Sequence, residues 1–79
     1  MTQIEASLLA QSKQKPDDVL AVVVTVNEQF DASEAAGLGL KEIEAKQIYS
    51  GALSGQSILS LGERKGVLAI EPDFDVSIA

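Results

Sequence analysis

Residues 19–26 constrain the fold more than any other stretch, because they read Val-Leu-Ala-Val-Val-Val-Thr-Val without a charged residue. Branched side chains are stiff at χ1 and pack well on a pleated surface, so they favour strands. A nearly continuous apolar run of this length is typical of a strand inside a sheet rather than at its edge. We therefore predict that Val19–Val26 is a central strand with a neighbour on each side.

A short helix is predicted after this strand. Asp31 followed by Glu34 forms an acidic variant of a capping box, which favours a helix from Ala32 to about Lys41. Gly37 and Gly39 lie within that range, and each costs roughly 1 kcal/mol relative to Ala in a helix interior. We expect the helix to be short or to break near Gly39.

A hairpin and a second helix follow. Residues 43–49 alternate imperfectly and predict a strand, Ser50–Gly51 predict the turn, and Ala52–Leu53 begin a third strand. Ser54 is a suitable N-cap for a helix with an apolar stripe at Ile58 and Leu61. The basic residues 64–65 and Gly66 predict the end of that helix.

The last predicted element is a strand at Val67–Ile70, and Pro72 lies just beyond it. The predicted order is βαββαβ, which is an α+β fold of the ferredoxin-like type with a four-stranded antiparallel sheet and two helices on one face. In that fold the first strand is central and the last lies at an edge, where Pro is tolerated. The domain is predicted to span residues 19–73, followed by an extended tail, residues 74–79.

Residues 1–18 are predicted to be an N-terminal extension or a short helix. Residues 4–11 have weak helical character, and eight residues are too few to be helical in isolation. Residues 12–18 read as a solvated polar linker. A helix lying on the domain and a disordered segment are both compatible with this pattern.

Composition excludes several classes of partner. The 79 residues carry a net charge of −6, which repels nucleic acid and anionic lipid, and no apolar stretch is long enough to span a membrane. No secretory signal is visible, which places the sequence as written in the cytoplasm, or outside the cell or in the periplasm if an export signal has been removed. We expect a monomer when the protein is free.

Catalysis and metal binding are not expected. The chain has no His and no Cys, so the usual general base, thiolate nucleophile and commonest metal ligands are missing. A calcium site from Glu71, Asp73 and Asp75 would need more oxygen ligands and a glycine-hinged loop. We therefore predict a protein that is not an enzyme and has no cofactor.

The stretch from Leu53 to Ala79 resembles the C-terminal half of subtilisin prodomains and of the small stand-alone inhibitors built like them. The resemblance is strongest at Val67, Ile70, Glu71 and Asp73 with their mutual spacing. It implies a partner, a subtilisin-like serine protease, which the chain would inhibit or help to fold.

The resemblance also implies two groups of binding residues. Glu71 and Asp73 would cap the N-termini of two helices on the protease surface, where a carboxylate accepts unpaired backbone N–H groups. The tail would lie in the substrate cleft like a cleavage product, with Ala79 in the primary pocket; its binding residues would be Val76, Ser77, Ile78 and Ala79. Ala79 departs from the large end residue that is frequent in the family.

A second interpretation stays open. The domain could be a ferredoxin-like module that binds another protein or a small regulatory ligand without inhibiting a protease. In that case Glu71 and Asp73 would be solubilising charges on an edge strand and the tail would be a frayed terminus.

Overall fold

A computed structural model of the chain describes residues 2–44 and 47–73. Within these residues the protein has five strands and three helices, which confirms the α+β class. The elements in chain order are β1 (Gln3–Ile4), α1 (Ala6–Gln14), β2 (Val19–Val26), α2 (Ala32–Gly37), β3 (Lys41–Glu44), β4 (Ile48–Ser54), α3 (Gly55–Leu61) and β5 (Val67–Pro72).

Strand β2 is the centre of the sheet, and its bounds are those predicted. The strand order is β1-β5-β2-β4-β3, and β2 pairs antiparallel with both β4 and β5. Its register with β4 runs from Val19 opposite Ser54 to Thr25 opposite Ile48. The prediction of a central strand is confirmed.

The predicted four-stranded antiparallel sheet with two helices is wrong. Strand β1 adds a fifth strand, parallel to β5, with Gln3 opposite Ala69 and Ile4 opposite Ile70. The sheet is therefore mixed, and β5 lies inside it instead of at its edge. A two-residue strand has no periodicity of its own, because only its pairing with a distant segment defines it.

All three helices lie on one face of the sheet. The buried side chains of β2 are those of Val22, Val24 and Val26, which alternate with residues that face the other way. They belong to one hydrophobic core with the side chains of all three helices: Leu8 of α1, Ala35 of α2, and Ile58 and Leu61 of α3. We call the opposite face of the sheet the open face, because no helix of the described residues packs on it.

The N-terminal segment packs against the rest of the domain. Leu8 is 3% exposed and Ser12 is fully buried, so the helical alternative holds. The predicted linker begins too early, because α1 continues to Gln14, but residues 13–18 are exposed as predicted. A Cβ on Gly55 would lie 2.8 Å from the Cα of Ser12, which shows how closely α1 approaches the start of α3. The backbone N–H groups of Gly55 and Gln56 donate to carbonyls of residues 18 and 16.

The hairpin exists, but its turn is displaced from the predicted position. Ser50 and Gly51 lie inside β4 and not in a turn, since β3 ends at Glu44 and β4 begins at Ile48. A side chain at Gly51 would meet Leu40, with its Cβ 2.8 Å from Leu40 Cδ2. Gly51 therefore leaves space in β4 for the buried side chain of Leu40.

Helices α2 and α3 end earlier than their patterns predict. Helix α2 stops at Gly37, and Gly39 has φ of +78°, so the expected break near Gly39 is confirmed. Helix α3 has the predicted N-cap, Ser54, but it ends at Leu61, and the basic residues 64–65 lie in the following turn.

Candidate functional site: the open face and the end of β5

The open face is formed by residues of β2, β4 and β5 that face away from the core. Directly opposed residues share a face of a sheet. Val23 lies between Ser50 and Glu71, while Ala21 is opposite Ala52. Thr25 lies in the same way between Ile48 and Ala69. Small and apolar side chains therefore dominate this surface.

Strand β2 has an unusual composition for a strand with one uncovered face. Antiparallel strands that are solvated on one side ordinarily alternate apolar and polar residues. On the open face β2 presents Val19, Ala21, Val23 and Thr25, of which only Thr25 is polar. Val19 is 66% exposed. The sequence of β2 is therefore that of a strand whose two faces are both covered.

The structure places Glu71 and Asp73 beside this apolar surface. Glu71 is exposed and lies opposite Val23 on the open face. Asp73 follows two residues later, and its backbone N–H donates to the carbonyl of Ala21 at 3.0 Å. Two predicted site residues thus lie beside Val23 and Ala21 of the open face. The predicted cleft-binding residues, Val76, Ser77, Ile78 and Ala79, lie outside the described part of the chain.

Both edge strands of the sheet, β3 and β1, are short, which opposes further strand pairing. Strand β3 is four residues long, is rich in charge and has an irregular register between Glu42 and Glu44. The outer edge of β5 is covered by β1, where the Glu5 N–H donates to the Ile70 carbonyl at 3.0 Å. Pro72, two residues further, has no N–H to offer at that edge.

Two carboxylates have structural roles as helix caps. The Ser7 hydroxyl and the Leu8 N–H donate to Glu5 at 2.6 and 2.8 Å, and these bonds lower the pKa of Glu5. The hydroxyl and the N–H of Ser33 donate to Asp31, which lowers the pKa of Asp31 in the same way. Hydrogen bonds to the ionised form are the cause in both cases.

An open cleft of about 730 Å³ lies beside the end of β2 and the start of β4, where the Val26 N–H donates to the Gln47 carbonyl at 2.8 Å, and the sequence did not predict it. Phe30 and Tyr49 line the cleft, with their ring centroids 5.7 Å apart. Glu28, Gln47 and Leu68 also line it. These residues come from three separate segments, so no local pattern indicates that they meet.

The described residues contain no cluster of three or more acidic, His or Cys side chains that could hold a metal ion. None of the helices that the structure describes is long and apolar enough to cross a membrane. Comparison of the chain with models of known protein families, with curated proteins and with solved structures found no match.

Proposed function

We propose that this protein is an inhibitor of a subtilisin-like serine protease, with the open face as its docking surface. The observation that carries the proposal is the composition of β2. Its outward side chains are apolar where water would favour polar ones, which is what a surface covered by a partner requires.

Two helices of a protease are the partner surface that best suits this face. Small residues such as Ala21 and Ala52 allow the backbone of a partner to approach closely. Glu71 and Asp73 lie beside the same face, where each carboxylate can accept backbone N–H bonds from a helix N-terminus. Such an interaction contributes roughly 0.3–1 kcal/mol when exposed and up to ~2 kcal/mol when partly buried.

We further propose that β2, α2, β3, β4, α3 and β5 form a ferredoxin-like unit, to which β1 and α1 are an addition. These six elements follow one another as βαββαβ, and their strands pair antiparallel. The addition covers β5 immediately before the tail, so it would hold the start of the tail in place. The tail would then enter the substrate cleft with Val76, Ser77 and Ile78 extended and Ala79 in the primary pocket.

A panel of subtilisin-like proteases tests this function through inhibition constants. Three chains are compared: the wild type, Ala79→Tyr, and a truncation that lacks residues 76–79. We expect the truncation to abolish inhibition without lowering the melting temperature. We expect Ala79→Tyr to strengthen inhibition of a protease that prefers large residues, by about tenfold for each ~1.4 kcal/mol gained. Equal inhibition by all three chains would contradict cleft binding.

The alternative is a module that binds another protein through the open face without inhibiting a protease. The same apolar surface supports it, and the tail then has no role. Absence of inhibition across the panel, together with a partner whose binding is unaffected by the truncation, would favour this function.

A further inference from the structure

We propose that the cleft at the end of β2 and the start of β4 is a binding site for a small amine whose ammonium group is attached to an aromatic or aliphatic group. The cleft shares Thr25 and Ile48 with the open face, but its ligand binding does not rest on the proposed protease inhibition.

Two buried aromatic rings form the floor of the cleft. Phe30 is 9% exposed and Tyr49 is 5% exposed, and their rings pack at an interplanar angle of 59°. Leu68 lines the same cleft from β5 and is 46% exposed. An exposed leucine beside an aromatic floor provides apolar contact for the body of a ligand, in a volume typical of small-molecule sites.

Tyr49 also supplies a polar group. Tyr49 is only 5% exposed, yet its hydroxyl has no hydrogen-bond partner among the described residues. The Tyr49 hydroxyl oxygen is not completely buried. Among the described residues, Ser12 Oγ is the one side-chain polar atom that is both completely buried and unpaired. A tyrosine hydroxyl that is accessible at a cleft is available to a ligand, because a buried tyrosine ordinarily has a partner.

The charge of the site selects a cation. Glu28 is the ionised residue among the described lining residues, and Asn27 and Gln47 add side-chain amides. The whole chain has a net charge of −6, which raises the local concentration of cations. An ammonium group near Glu28 would also lie close to aromatic rings, which attract cations.

Titration of the ¹⁵N-labelled full chain with tyramine tests the site by amide chemical shifts. Tyrosol, which replaces the ammonium by a hydroxyl, is the matched neutral probe. We expect saturable shifts at residues 27–30 and 47–49 with tyramine and weaker binding of tyrosol. Glu28→Gln should weaken tyramine binding about fivefold, and Tyr49→Phe should weaken it about threefold to tenfold.

Asp17→Asn is the control, because it makes the same change of charge just before the opposite end of β2 and should leave tyramine binding unchanged. No saturable shift with tyramine at millimolar concentration would overturn the proposal. Equal binding of tyrosol would overturn the assignment to amines, and unchanged binding by Tyr49→Phe would overturn the role of its hydroxyl. The truncation of residues 76–79 should not affect the titration, so failure of protease inhibition leaves this test intact.

Discussion

Gly66 is the residue at which this fold is least tolerant of a side chain. It has φ of +88°, and a Cβ there would lie 2.3 Å from the backbone nitrogen of Phe30. The close approach lets the Asn27 N–H donate to the Gly66 carbonyl at 2.8 Å, which joins the turn after α3 to the end of β2. Both the conformation and the space therefore require glycine.

Gly66→Ala is expected to destabilise the protein by about 2 kcal/mol or more, since the left-handed conformation alone costs roughly 1–2 kcal/mol and the contact is with backbone. Gly37→Ala is the matched control. No atom lies within 4 Å of its added Cβ, so it should be neutral or stabilise α2 by up to ~1 kcal/mol. Urea denaturation of both variants measures the difference, and equal stabilities would show that the turn is free to relax.

Ser12 is a buried residue whose polarity has no structural use in the described part of the chain. It is fully buried on the side of α1 that faces Gly55 of α3, and its hydroxyl has no hydrogen-bond partner among the described residues. Burying an unpaired hydroxyl costs roughly 1–3 kcal/mol, and alanine is also the better helix former.

Ser12→Ala should therefore raise the free energy of unfolding by about 1 kcal/mol. Ser60→Ala on the exposed side of α3 separates the two contributions, because it changes helix propensity without changing burial. A loss of stability in Ser12→Ala would mean that the hydroxyl is satisfied in solution.

At the scale of the elements, local chemistry predicted the strands and helices that have their own signals. The branched run of β2 and the capping serine of α3 were found from sequence, because each encodes its structure within a few residues. The turn of the hairpin was misplaced since Gly51 suggests a turn, whereas the packing of Leu40 requires glycine within the strand. Pairing of residues 3 and 4 with β5 has no local signal at all.

The candidate site was predictable in the same limited way. The sequence indicates Glu71 and Asp73 as acidic residues after the last strand, whereas β5 extends to Pro72, so Glu71 lies within that strand on the open face. The cleft was not evident, because Tyr49 and Leu68 are distant in the chain and belong to β4 and β5, which do not pair with each other.

Helix α1 begins at a carboxylate, which makes its contribution to stability dependent on pH. The hydrogen bonds from Ser7 and Leu8 lower the pKa of Glu5 below its ordinary value of 4.5. A group whose pKa is lower in the folded state than in the unfolded state stabilises the protein at pH values above its unfolded-state pKa. That stabilisation is lost as the pH falls through its folded-state pKa.

Glu5→Gln should remove this dependence, since glutamine still accepts a hydrogen bond but does not titrate. We expect the difference in urea midpoint between wild type and Glu5→Gln to shrink as the pH is lowered below 4.5. The pKa of Asp31 is also lowered, but Asp31 is present in both proteins, so its contribution to the pH dependence cancels in the comparison. Parallel curves for the two proteins would contradict the role of Glu5 as a titrating cap.

At the scale of the whole molecule, the surfaces of the sheet differ in their suitability for association. Charge and irregular pairing oppose addition of a strand at β3, and the two-residue length of β1 opposes it at the other edge. The open face has no comparable protection in β2, because its outward residues are mainly apolar. A partner is therefore expected on the face of the sheet and not at its edges.

Ala52→Arg tests that expectation directly. Ala52 is exposed on the open face opposite Ala21, so a large charged side chain there should weaken binding of an inhibited protease more than tenfold. Stability should change by no more than ~0.5 kcal/mol, as for other surface substitutions. Gln56→Arg, an exposed position on α3, is the control. Inhibition that is equal in both variants would remove the open face from the interface.

The parallel pairing of β1 with β5 has a consequence for the order of folding. Residues 3 and 69 are separated by most of the chain, so their contact closes a long loop and is among the costliest to form by chance. During synthesis, residues 3–4 have no strand to pair with until β5 has emerged. The first and last strands therefore complete the sheet together, and we expect amide exchange at both to report a single late step of assembly.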